Sequence, residues 1–463
     1  MNTQKPVTAI LIGAGQRGAE AYGSYALQYP EQIRFIAVAE PDLERRKRFA
    51  KAHHISEENT FASWEELLSR GKFADAAFVT TQDQQHTAPA VSAMQAGYHV
   101  LLEKPMAVIE KECKLLVEVA RQTNRQLHIC HVLRYTPHFQ KMNEIIQSGV
   151  LGDIIDIAHR ENVSYWHMAH SFVRGNWNNE AKSSPMILAK CCHDFDILLW
   201  LLGERCIHLS SIGSLAHFRP ENAPPGAPER CLDGCPAADT CPYEANFIYT
   251  HLIPLWHSFG ETAHGFNRIA VAAHQKYPAL TRALTPIIPS LRQITGYWGW
   301  PRSVAAKEPT MESLQEALQT GPYGLCVYRC DNDVVDHQVV SMMFESGTTV
   351  TLTMHGHSNI EGRSTRIEGT RGQLEAFFGI GGGWIEVRQH RSGSSKRYTT
   401  GSSEGHGHGG GDQGLMNAFV KSLNNAGEQA LTTADQSLES HLMAFAAEKA
   451  RLEERVVRMD EMR

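Results

Sequence analysis

The sequence contains no long hydrophobic run, and so it offers no candidate for a membrane-spanning helix. Such a helix needs about 18 or more consecutive apolar residues, and no run in this chain reaches that length. The first residues, Met-Asn-Thr-Gln-Lys-Pro, lead directly into a predicted strand and lack the apolar centre of a signal peptide. We therefore expect a cytoplasmic protein without a membrane partner, in which most of the ten cysteines stay reduced.

An excess of positive charge is also absent. The chain has 44 Lys and Arg residues against 50 Asp and Glu residues, which gives a formal net charge of −6. This balance argues against a protein that binds nucleic acid through a general basic field. With 463 residues, of which 42% are hydrophobic and 20% charged, the chain is typical of a globular protein with two or three domains.

A glycine-rich turn near the N-terminus is the most informative motif. A short apolar run, typical of a buried strand, is followed by Gly13, Gly15 and Gly18, and then by a helical pattern. Gly13 would permit a tight turn, Gly15 would let a pyrophosphate approach the backbone, and Gly18 would let the helix pack closely on the strand. The start of the helix, with Gln16 and Arg17, would hold the phosphates of a dinucleotide.

A second apolar run ends in Glu40, which is the acid that the motif expects about 20 residues beyond the glycines. This acid binds the ribose hydroxyls of the cofactor and would repel a 2′-phosphate, so Glu40 favours NAD over NADP. Arg45 and Arg46 keep NADP open as a cofactor. The alternative is that Glu40 is only an acid at a helix N-terminus, where the helix dipole favours it.

The pattern of elements divides the chain into two parts. Residues 1–130 alternate strands and helices, which predicts a Rossmann domain with a doubly wound parallel sheet. Residues 131–463 predict an α+β domain with a large, open, mainly antiparallel sheet and a final helix over 437–459. Residues 215–325 are rich in Pro and Gly, and they resemble an insertion that serves as a lid or oligomer contact. Residues 392–411 predict a polar loop.

Several motifs together point to one family. They are the glycine turn, Glu40, the segment from Thr81 to His86, Glu103-Lys104-Pro105, Arg134-Tyr135 with Pro137, Ser148-Gly149 followed by Gly152, and His193 with Asp196. In this combination the chain resembles the glucose–fructose oxidoreductase / inositol dehydrogenase (Gfo/Idh/MocA) family over about residues 7–202, and more loosely beyond 330. The resemblance implies an NAD-binding Rossmann domain and a second domain whose sheet carries the substrate and often the oligomer interface. It predicts a small carbohydrate or cyclitol as substrate and a homodimer or homotetramer.

The resemblance also assigns residues around the cofactor. It places Thr81, His86, Glu103 and Lys104 there and suggests a cis turn at Pro105. Lys104 comes just after a predicted parallel strand, where open α/β sheets bind their ligands. Its ammonium group could bind the reacting hydroxyl and lower the pKa of that hydroxyl. The alternative is a solvated surface lysine.

His193 is the candidate general base, because an imidazole titrates near neutral pH and can accept a hydroxyl proton. Asp196 lies three residues further on the same predicted helix face. It would orient His193 or bind a sugar hydroxyl; the alternative is a buried His–Asp pair with a structural role. The chain departs from the family at Ala189, where dehydrogenases of the family usually carry Asp. Lys190 could substitute electrostatically but not as a hydrogen-bond acceptor.

Further polar and aromatic residues are candidates for binding the substrate. A sugar ring suits a site that combines aromatic faces with His, Arg and Asn side chains, although a partly packed loop would show the same composition. The candidates are Tyr165, Trp166, His167, His170, Arg174, Asn176 and Trp177, together with His131 and Arg134, which follow a predicted strand. The glycine-rich segment 405–412 adds His406, His408 and Asp412, which would contact substrate or bind a metal.

Three cysteines are spaced closely within the predicted insertion. Cys231, Cys235 and Cys241 form Cys-x3-Cys-x5-Cys, a spacing that can hold zinc or an iron–sulfur centre. Cys206, Cys326 and Cys330 are candidates for the fourth ligand if the insertion folds back. The alternatives are three reduced thiols or a local disulfide.

Three functions fit these residues, and we favour the first. It is an NAD(P)-dependent dehydrogenase acting at a sugar or cyclitol ring carbon, with His193 as base and Lys104 as its electrostatic partner. The second is an NAD-dependent glycosidase of the kind found among some relatives, which transiently oxidises the sugar 3-hydroxyl, eliminates the aglycone, adds water and reduces the ring again. That chemistry needs another base near C2, from the cluster that runs from Tyr165 to His170. The third is a non-catalytic dinucleotide-bound sensor, which Ala189 favours.

Overall fold

The computed structural model describes residues 5–263, 265–401, 408–425 and 431–463. Its first sheet has six strands, all parallel, in the order β3-β2-β1-β4-β5-β6. The strands are β1 (Val7–Ile12), β2 (Ile33–Ala39), β3 (Thr60–Phe61), β4 (Ala76–Val79), β5 (His99–Leu102) and β6 (Leu127–Ile129). The strand order reverses between β1 and β4, which is the position where doubly wound sheets bind ligands.

Helices cover both faces of this sheet, and so its central strands are almost wholly apolar. These helices are α1 (Ser24–Gln28), α2 (Leu43–Ala52), α3 (Trp64–Ser69), α4 (Thr87–Gln95) and α5 (Glu110–Thr123). Local signals fix several helix starts. Asp42 caps α2 by accepting a hydrogen bond from the Arg45 N–H at 2.8 Å. The predicted doubly wound sheet is confirmed.

The second sheet has nine strands in the order β14-β13-β12-β11-β7-β10-β9-β8-β15. They are β7 (Ile154–Ser164), β8 (Cys206–Ser214), β9 (His337–Phe344), β10 (Thr349–Ser358), β11 (Gly362–Gly369), β12 (Gly372–Gly379), β13 (Gly382–Gln389), β14 (Ser395–Gly401) and β15 (Val457–Arg458). The pair β7–β10 is parallel and the other neighbours are antiparallel. The predicted open, mainly antiparallel sheet is confirmed.

One face of the second sheet is covered and the other is open. The covering helices include α6 (Pro137–Gln147) and α8 (Met186–Leu202), and α7 (Tyr165–His167) directly continues β7. Burial alternates along β9, where Val340, Met342 and Phe344 face the core while Val339 is exposed. The site described below lies between this covered face and the first sheet.

The segment predicted to be an irregular insertion is mostly helical. It contains α9 (Ile253–Thr262), α10 (Gly265–Lys276), α11 (Pro278–Leu284), α12 (Arg292–Thr295), α13 (Arg302–Ala305) and α14 (Met311–Thr320). The abundance of Pro concealed this, because Pro is compatible with the first turn of a helix, as in α9 and α11. None of the helices in the described ranges is long and apolar enough to cross a lipid bilayer.

Two helices of the C-terminal region pack against the first domain. Helix α15 (Gly411–Asn424) packs against β1, and α16 (Ala434–Glu453) packs against both α8 and α5. Two sequence predictions need correction here. The predicted polar loop contains β14, and the predicted helix over 437–459 starts earlier and ends at Glu453, where Glu454 adopts the left-handed conformation with φ +52°.

Candidate active site

The glycine turn has the geometry that a dinucleotide requires. Gly13 has φ +96°, which favours glycine. A Cβ placed on Gly18 would lie 2.2 Å from the Gly13 carbonyl oxygen, so only glycine allows the following helical turn, Gln16–Gly23, to pack there. A Cβ on Gly15 would meet nothing within 4 Å. The space above Gly15 is therefore open to a pyrophosphate, and these residues fit an NAD-type cofactor.

Glu40 supports the glycine turn from the end of β2. Its carboxylate accepts hydrogen bonds from the Ala14 N–H at 2.7 Å and from the Asp42 N–H at 3.0 Å. Arg46 donates to the Glu40 backbone carbonyl. Glu40 is buried and lies beside the turn, as expected for the ribose-binding acid of this motif.

Arg17 lies in an ion-pair network next to the turn, whereas Gln16 is exposed. The Arg17 guanidinium lies 2.7 Å from the Glu103 carboxylate and 2.6 Å from the Asp412 carboxylate. Burial acts to raise the pKa of Glu103, but Arg17 holds it below its usual value. The structure therefore revises the substrate or metal role predicted for Asp412: its buried carboxylate pairs with Arg17. His406 and the side chain of His408 lie outside the described residues.

His86 and Thr81 shape the loop that carries Lys104. The buried His86 ring lies between the Pro105 carbonyl, 2.7 Å from Nδ1, and the Thr81 carbonyl, 3.2 Å from Nε2. The Thr81 hydroxyl donates to the Gln85 carbonyl at 3.0 Å. The peptide bond between Lys104 and Pro105 is cis, as the resemblance suggested. His86 thus braces the backbone beside Lys104, and Thr81 remains partly exposed.

Lys104 reaches from the first sheet to α8. Its Nζ donates a hydrogen bond to the Ala189 carbonyl at 2.7 Å, one helical turn before His193. Lys104 is partly exposed, and its backbone N–H donates to the Glu103 carboxylate. A neutral backbone oxygen therefore takes the place near Lys104 where the family usually has an Asp residue.

His193 faces a second histidine. The Nδ1 atoms of His193 and His131 lie 3.4 Å apart, which requires one ring to donate and the other to accept. Burial, together with the charges of Arg134 and Lys104, holds the pKa of His131 well below its usual value, so that ring is neutral. His441, which the sequence did not reveal, packs 5.4 Å from His131 between ring centroids. His131 and His193, which the sequence predicted separately, are therefore in direct contact through their Nδ1 atoms.

Asp196 is engaged by Arg134. The guanidinium of Arg134 binds both carboxylate oxygens of Asp196 at 2.7 Å, and it also donates to the Leu431 carbonyl. Both side chains are almost completely buried. The structure thus corrects the predicted roles of both residues. Asp196 and Arg134 form a buried bidentate ion pair, and this pair stabilises the structure beside the site.

A buried charged cluster lies beneath the neighbouring turn of α8. Lys190 Nζ lies 3.3 Å from the carboxylates of both Glu161 and Glu361. Glu361 also accepts from Ser164, and it lies 2.9 Å from His167 Nδ1. Burial raises the pKa of Glu161 to about 7, against the opposing charge of Arg363. Sequence reasoning missed Glu361 because no local pattern marks it.

The aromatic segment after β7 packs against the helical insertion. Trp300 contacts the rings of Trp166, His167 and His170 at centroid distances of 4.8, 4.7 and 5.3 Å. His170 also stacks on Tyr323 at 4.8 Å. His170 and Trp166 are buried in this contact. This burial revises the catalytic role predicted for His170 and the substrate contact predicted for Trp166, and His167 remains partly exposed.

The remaining predicted substrate residues differ in exposure. Tyr165 is partly exposed and Asn176 is exposed. Trp177 donates from its indole N–H to Asp83 at 2.9 Å. Arg174 is buried and donates to the backbone carbonyls of Leu325 and Tyr243, so its predicted contact with substrate is also revised.

All ten cysteines lie within the described residues as free thiols. Cys231, Cys235, Cys241 and Cys326 line one small cavity. Across the described ranges, no group of three or more His, Cys, Asp or Glu side chains has the arrangement of a formed metal site.

Comparison with known proteins agrees with this geometry. Residues 7–131 match the Gfo/Idh/MocA family model described as an oxidoreductase family with an NAD-binding Rossmann fold. Residues 143–260 match the model for the C-terminal alpha/beta domain of the same family. The chain belongs to the Gfo/Idh/MocA oxidoreductase family.

Individual relatives are distant. YteT of Bacillus subtilis (strain 168), whose name calls it a candidate oxidoreductase, is 22% identical over 72% of this chain and 66% of its own length. Bovine trans-1,2-dihydrobenzene-1,2-diol dehydrogenase is 33% identical over 29% of this chain and 40% of its own length. The chain thus spans between two fifths and two thirds of these relatives. An oxidoreductase of Agrobacterium radiobacter, solved with NAD+, L-tartaric acid and magnesium, shares the fold with a TM-score of 0.66 and 12% identity, covering 99% and 100% of the two chains.

Proposed function

We propose that this protein is an NAD-dependent dehydrogenase that acts at a ring carbon of a sugar, sugar derivative or cyclitol. The proposal rests on one observation: Lys104 contacts the turn of α8 that leads to His193. This contact lies at the end of the parallel sheet, beside the glycine turn. When bound, NAD supplies the hydride acceptor or donor. The chain must then bind the substrate hydroxyl and take its proton.

His193 is suited to take this proton. His131 is neutral, and its Nδ1 lies within reach of the His193 Nδ1. A hydrogen bond between the two Nδ1 atoms holds the His193 ring in a defined orientation, as a base that receives a proton from a substrate hydroxyl requires. The proton of that hydroxyl passes to His193 as the carbon is oxidised.

Lys104 stabilises the oxygen from which the proton leaves. Its ammonium group donates to the neutral Ala189 carbonyl, which leaves its positive charge uncompensated by that partner. A cation next to a developing alkoxide lowers the barrier to its formation. The loss of the family's usual Asp at this position therefore changes the electrostatics but preserves the donor.

We also propose that the cofactor is NAD in preference to NADP. The Glu40 carboxylate lies at the end of β2 beside the turn and would repel a 2′-phosphate. Arg46, the candidate partner for such a phosphate, donates instead to the Glu40 carbonyl. Comparison of the Kd values for NAD and NADP tests this preference directly.

A second candidate function is an NAD-dependent glycosidase, and one observation favours it. His167 is partly exposed, and its Nδ1 faces the Glu361 carboxylate at 2.9 Å. Burial lowers the pKa of His167 against the opposing charge of Glu361. Since Nδ1 faces that carboxylate, Nε2 is the atom that would accept a proton. A second base at this position, near Tyr165, would serve the elimination step of such an enzyme.

One experiment separates these functions. The purified protein is incubated with free sugars, cyclitols and aryl glycosides while NADH absorbance and aglycone release are recorded together. Accumulation of NADH without cleavage supports the dehydrogenase. Aglycone release with only catalytic NAD supports the glycosidase and contradicts a simple dehydrogenase. Binding of NAD without turnover across the whole panel would instead support a sensor.

We further propose a homo-oligomer formed through the open face of the second sheet. Ile212 on β8 is 81% exposed, and it pairs across the strands with the exposed Val339 on β9. A second copy of the chain would cover these side chains. Light scattering should show an oligomer that Ile212→Arg disrupts and that Leu452→Arg, at the far end of α16, leaves intact; a monomeric wild-type protein would contradict the proposal.

A further inference from the structure

Four cysteines from two distant parts of the sequence meet at the base of the helical insertion. The Cys231 N–H donates to the Gly324 carbonyl at 2.9 Å, and the Cys326 N–H donates to the Glu229 carbonyl at 2.8 Å. These two hydrogen bonds place Cys231 beside Cys326. Cys235 and Cys241 lie on the turns that follow Cys231, where the Cys241 N–H donates to the Ala237 carbonyl.

The four cysteines line a cavity of about 20 Å³. A space of this size is enough for about one water molecule. The other lining residues include apolar ones such as Ala227, Ala238 and Val327 and charged ones such as Arg174 and Glu244. The thiols are the soft ligands among these residues.

Arg174 supplies an independent observation that points to an anionic centre. It lines the cavity and is only 3% exposed. Its partners are the Leu325 and Tyr243 carbonyls and the Cys231 sulfur, which lies 3.3 Å away. One terminal nitrogen of the guanidinium has no hydrogen-bond partner, and Arg174 forms no carboxylate ion pair, within the described residues. A buried cation without a counter-charge is costly. Thiolates of the lining cysteines can supply one, and Glu244 and a second arginine, Arg230, also line the cavity.

We propose that Cys231, Cys235, Cys241 and Cys326 bind a single zinc ion, with Arg174 as the neighbouring cation. Zinc prefers tetrahedral thiolate ligands at about 2.3 Å. Four thiolates around Zn²⁺ carry two negative charges, and the Arg174 guanidinium compensates one of them. Since the four thiols do not form a completed site in the structure, binding requires rotation about their Cα–Cβ bonds.

The position of the site indicates what the ion would do. Cys231, Cys235 and Cys241 precede the six helices α9–α14, and Cys326 follows them. An ion held by both groups would fasten the two ends of the insertion together. The same insertion presents Trp300 to His167 and Tyr323 to His170. The ion would therefore hold Trp300 and Tyr323 in place beside His167 and His170 without contacting a substrate.

The test measures metal content and coordination directly. Full-length protein purified with zinc in the medium should contain one zinc per chain by mass spectrometry. Replacement of zinc by Co²⁺ should produce the thiolate-to-cobalt charge-transfer band and the visible bands of tetrahedral coordination. Cys235→Ser should lose the metal, whereas Cys113→Ser, in α5 of the first domain, should retain it. Arg174→Gln should weaken zinc binding by about 10- to 100-fold.

Other results would overturn the proposal. A zinc site would be excluded if the purified protein contained no zinc and all of its thiols reacted with a thiol reagent, both with and without added zinc. Iron with acid-labile sulfide would indicate a cluster, and a loss of two reactive thiols that dithiothreitol reverses would indicate a disulfide. If Cys235→Ser does not fold, the wild-type zinc content and cobalt spectrum still decide. A chelator should also speed proteolysis within residues 242–325 if the ion fastens the insertion.

Discussion

The Nζ atom of Lys104 donates a hydrogen bond of 2.7 Å to the backbone carbonyl of Ala189. This contact joins the segment that follows β5 to α8. It also gives the lysine a neutral acceptor where a carboxylate is usual in the family.

Introducing a carboxylate at Ala189 should reduce the effect of the Lys104 charge. In Ala189→Asp the new carboxylate would place a negative charge beside the ammonium group of Lys104. We expect kcat/KM to fall at least about tenfold below that of Ala189→Asn, because a charge interaction of one pKa unit corresponds to about 1.4 kcal/mol. The Asn variant adds the same bulk without charge. Equal or higher activity in the Asp variant would contradict the assigned role of the free charge.

Removing the imidazole of His193 should abolish proton transfer and leave cofactor binding intact. His193→Ala is expected to lose about 10²- to 10⁴-fold in kcat, with the Kd for NAD nearly unchanged, since the glycine turn lies on the first sheet. His208→Ala, on β8 of the other sheet, serves as the control. Calorimetric titration with NAD and steady-state kinetics measure the two effects, and full activity of His193→Ala would exclude it as the base.

Substitution of Gly15 by alanine should have a different effect from substitution of Gly18. Gly15→Ala places a methyl group in open space, so we expect unchanged Tm but at least tenfold weaker NAD binding. Gly18→Ala forces a Cβ to within 2.2 Å of the Gly13 carbonyl and should cost about 1–3 kcal/mol of unfolding free energy. Thermal unfolding with and without NAD distinguishes the two. A large loss of Tm in Gly15→Ala would show that this space is not reserved for a ligand.

Stability should decrease as the pH falls below about 6.5 because several buried histidines are neutral in the folded state. Burial lowers the pKa of His441 from 6.5 to about 3. In the unfolded chain it titrates at its ordinary pKa, so its contribution is complete above that pH. It is lost at about 1.4 kcal/mol per pH unit as the pH falls towards 3.

His441→Asn should therefore show a shallower fall of unfolding free energy between about pH 6.5 and 5. Urea unfolding at each pH measures this slope. His208→Asn, on β8, provides the matched control for the substitution itself. The prediction fails if the two variants have the same slope.

The sequence was sufficient where a function depends on local backbone geometry. The glycine turn, Glu40 and the cis turn at Pro105 are each encoded by a few adjacent residues, and the structure places them as expected. Helix α8 and His193 were also found, because apolar periodicity extends along the whole segment. The parallel sheet followed from alternating strands and helices.

Contacts between residues that are far apart in the sequence could not be predicted from it. The three-residue spacing of His193 and Asp196 suggested a pair, yet Arg134, some sixty positions earlier, takes the Asp196 carboxylate. Glu361 and Trp300 reach the site from connecting segments, between β10 and β11 and between α12 and α13, whose place in space no local pattern reveals. A short polar strand such as β14 lacks the apolar alternation that would distinguish it from a loop.

The ion pair between Arg17 and Asp412 has a consequence for the synthesis of the protein. The first sheet is translated early, and Arg17 can then pair with Glu103 of the same domain; the second carboxylate, that of Asp412, is added when residue 412 has left the ribosome. Until then the surface on β1 that α15 later covers stays open. The N-terminal domain therefore completes its packing only after a segment some 280 residues beyond its last strand has been translated.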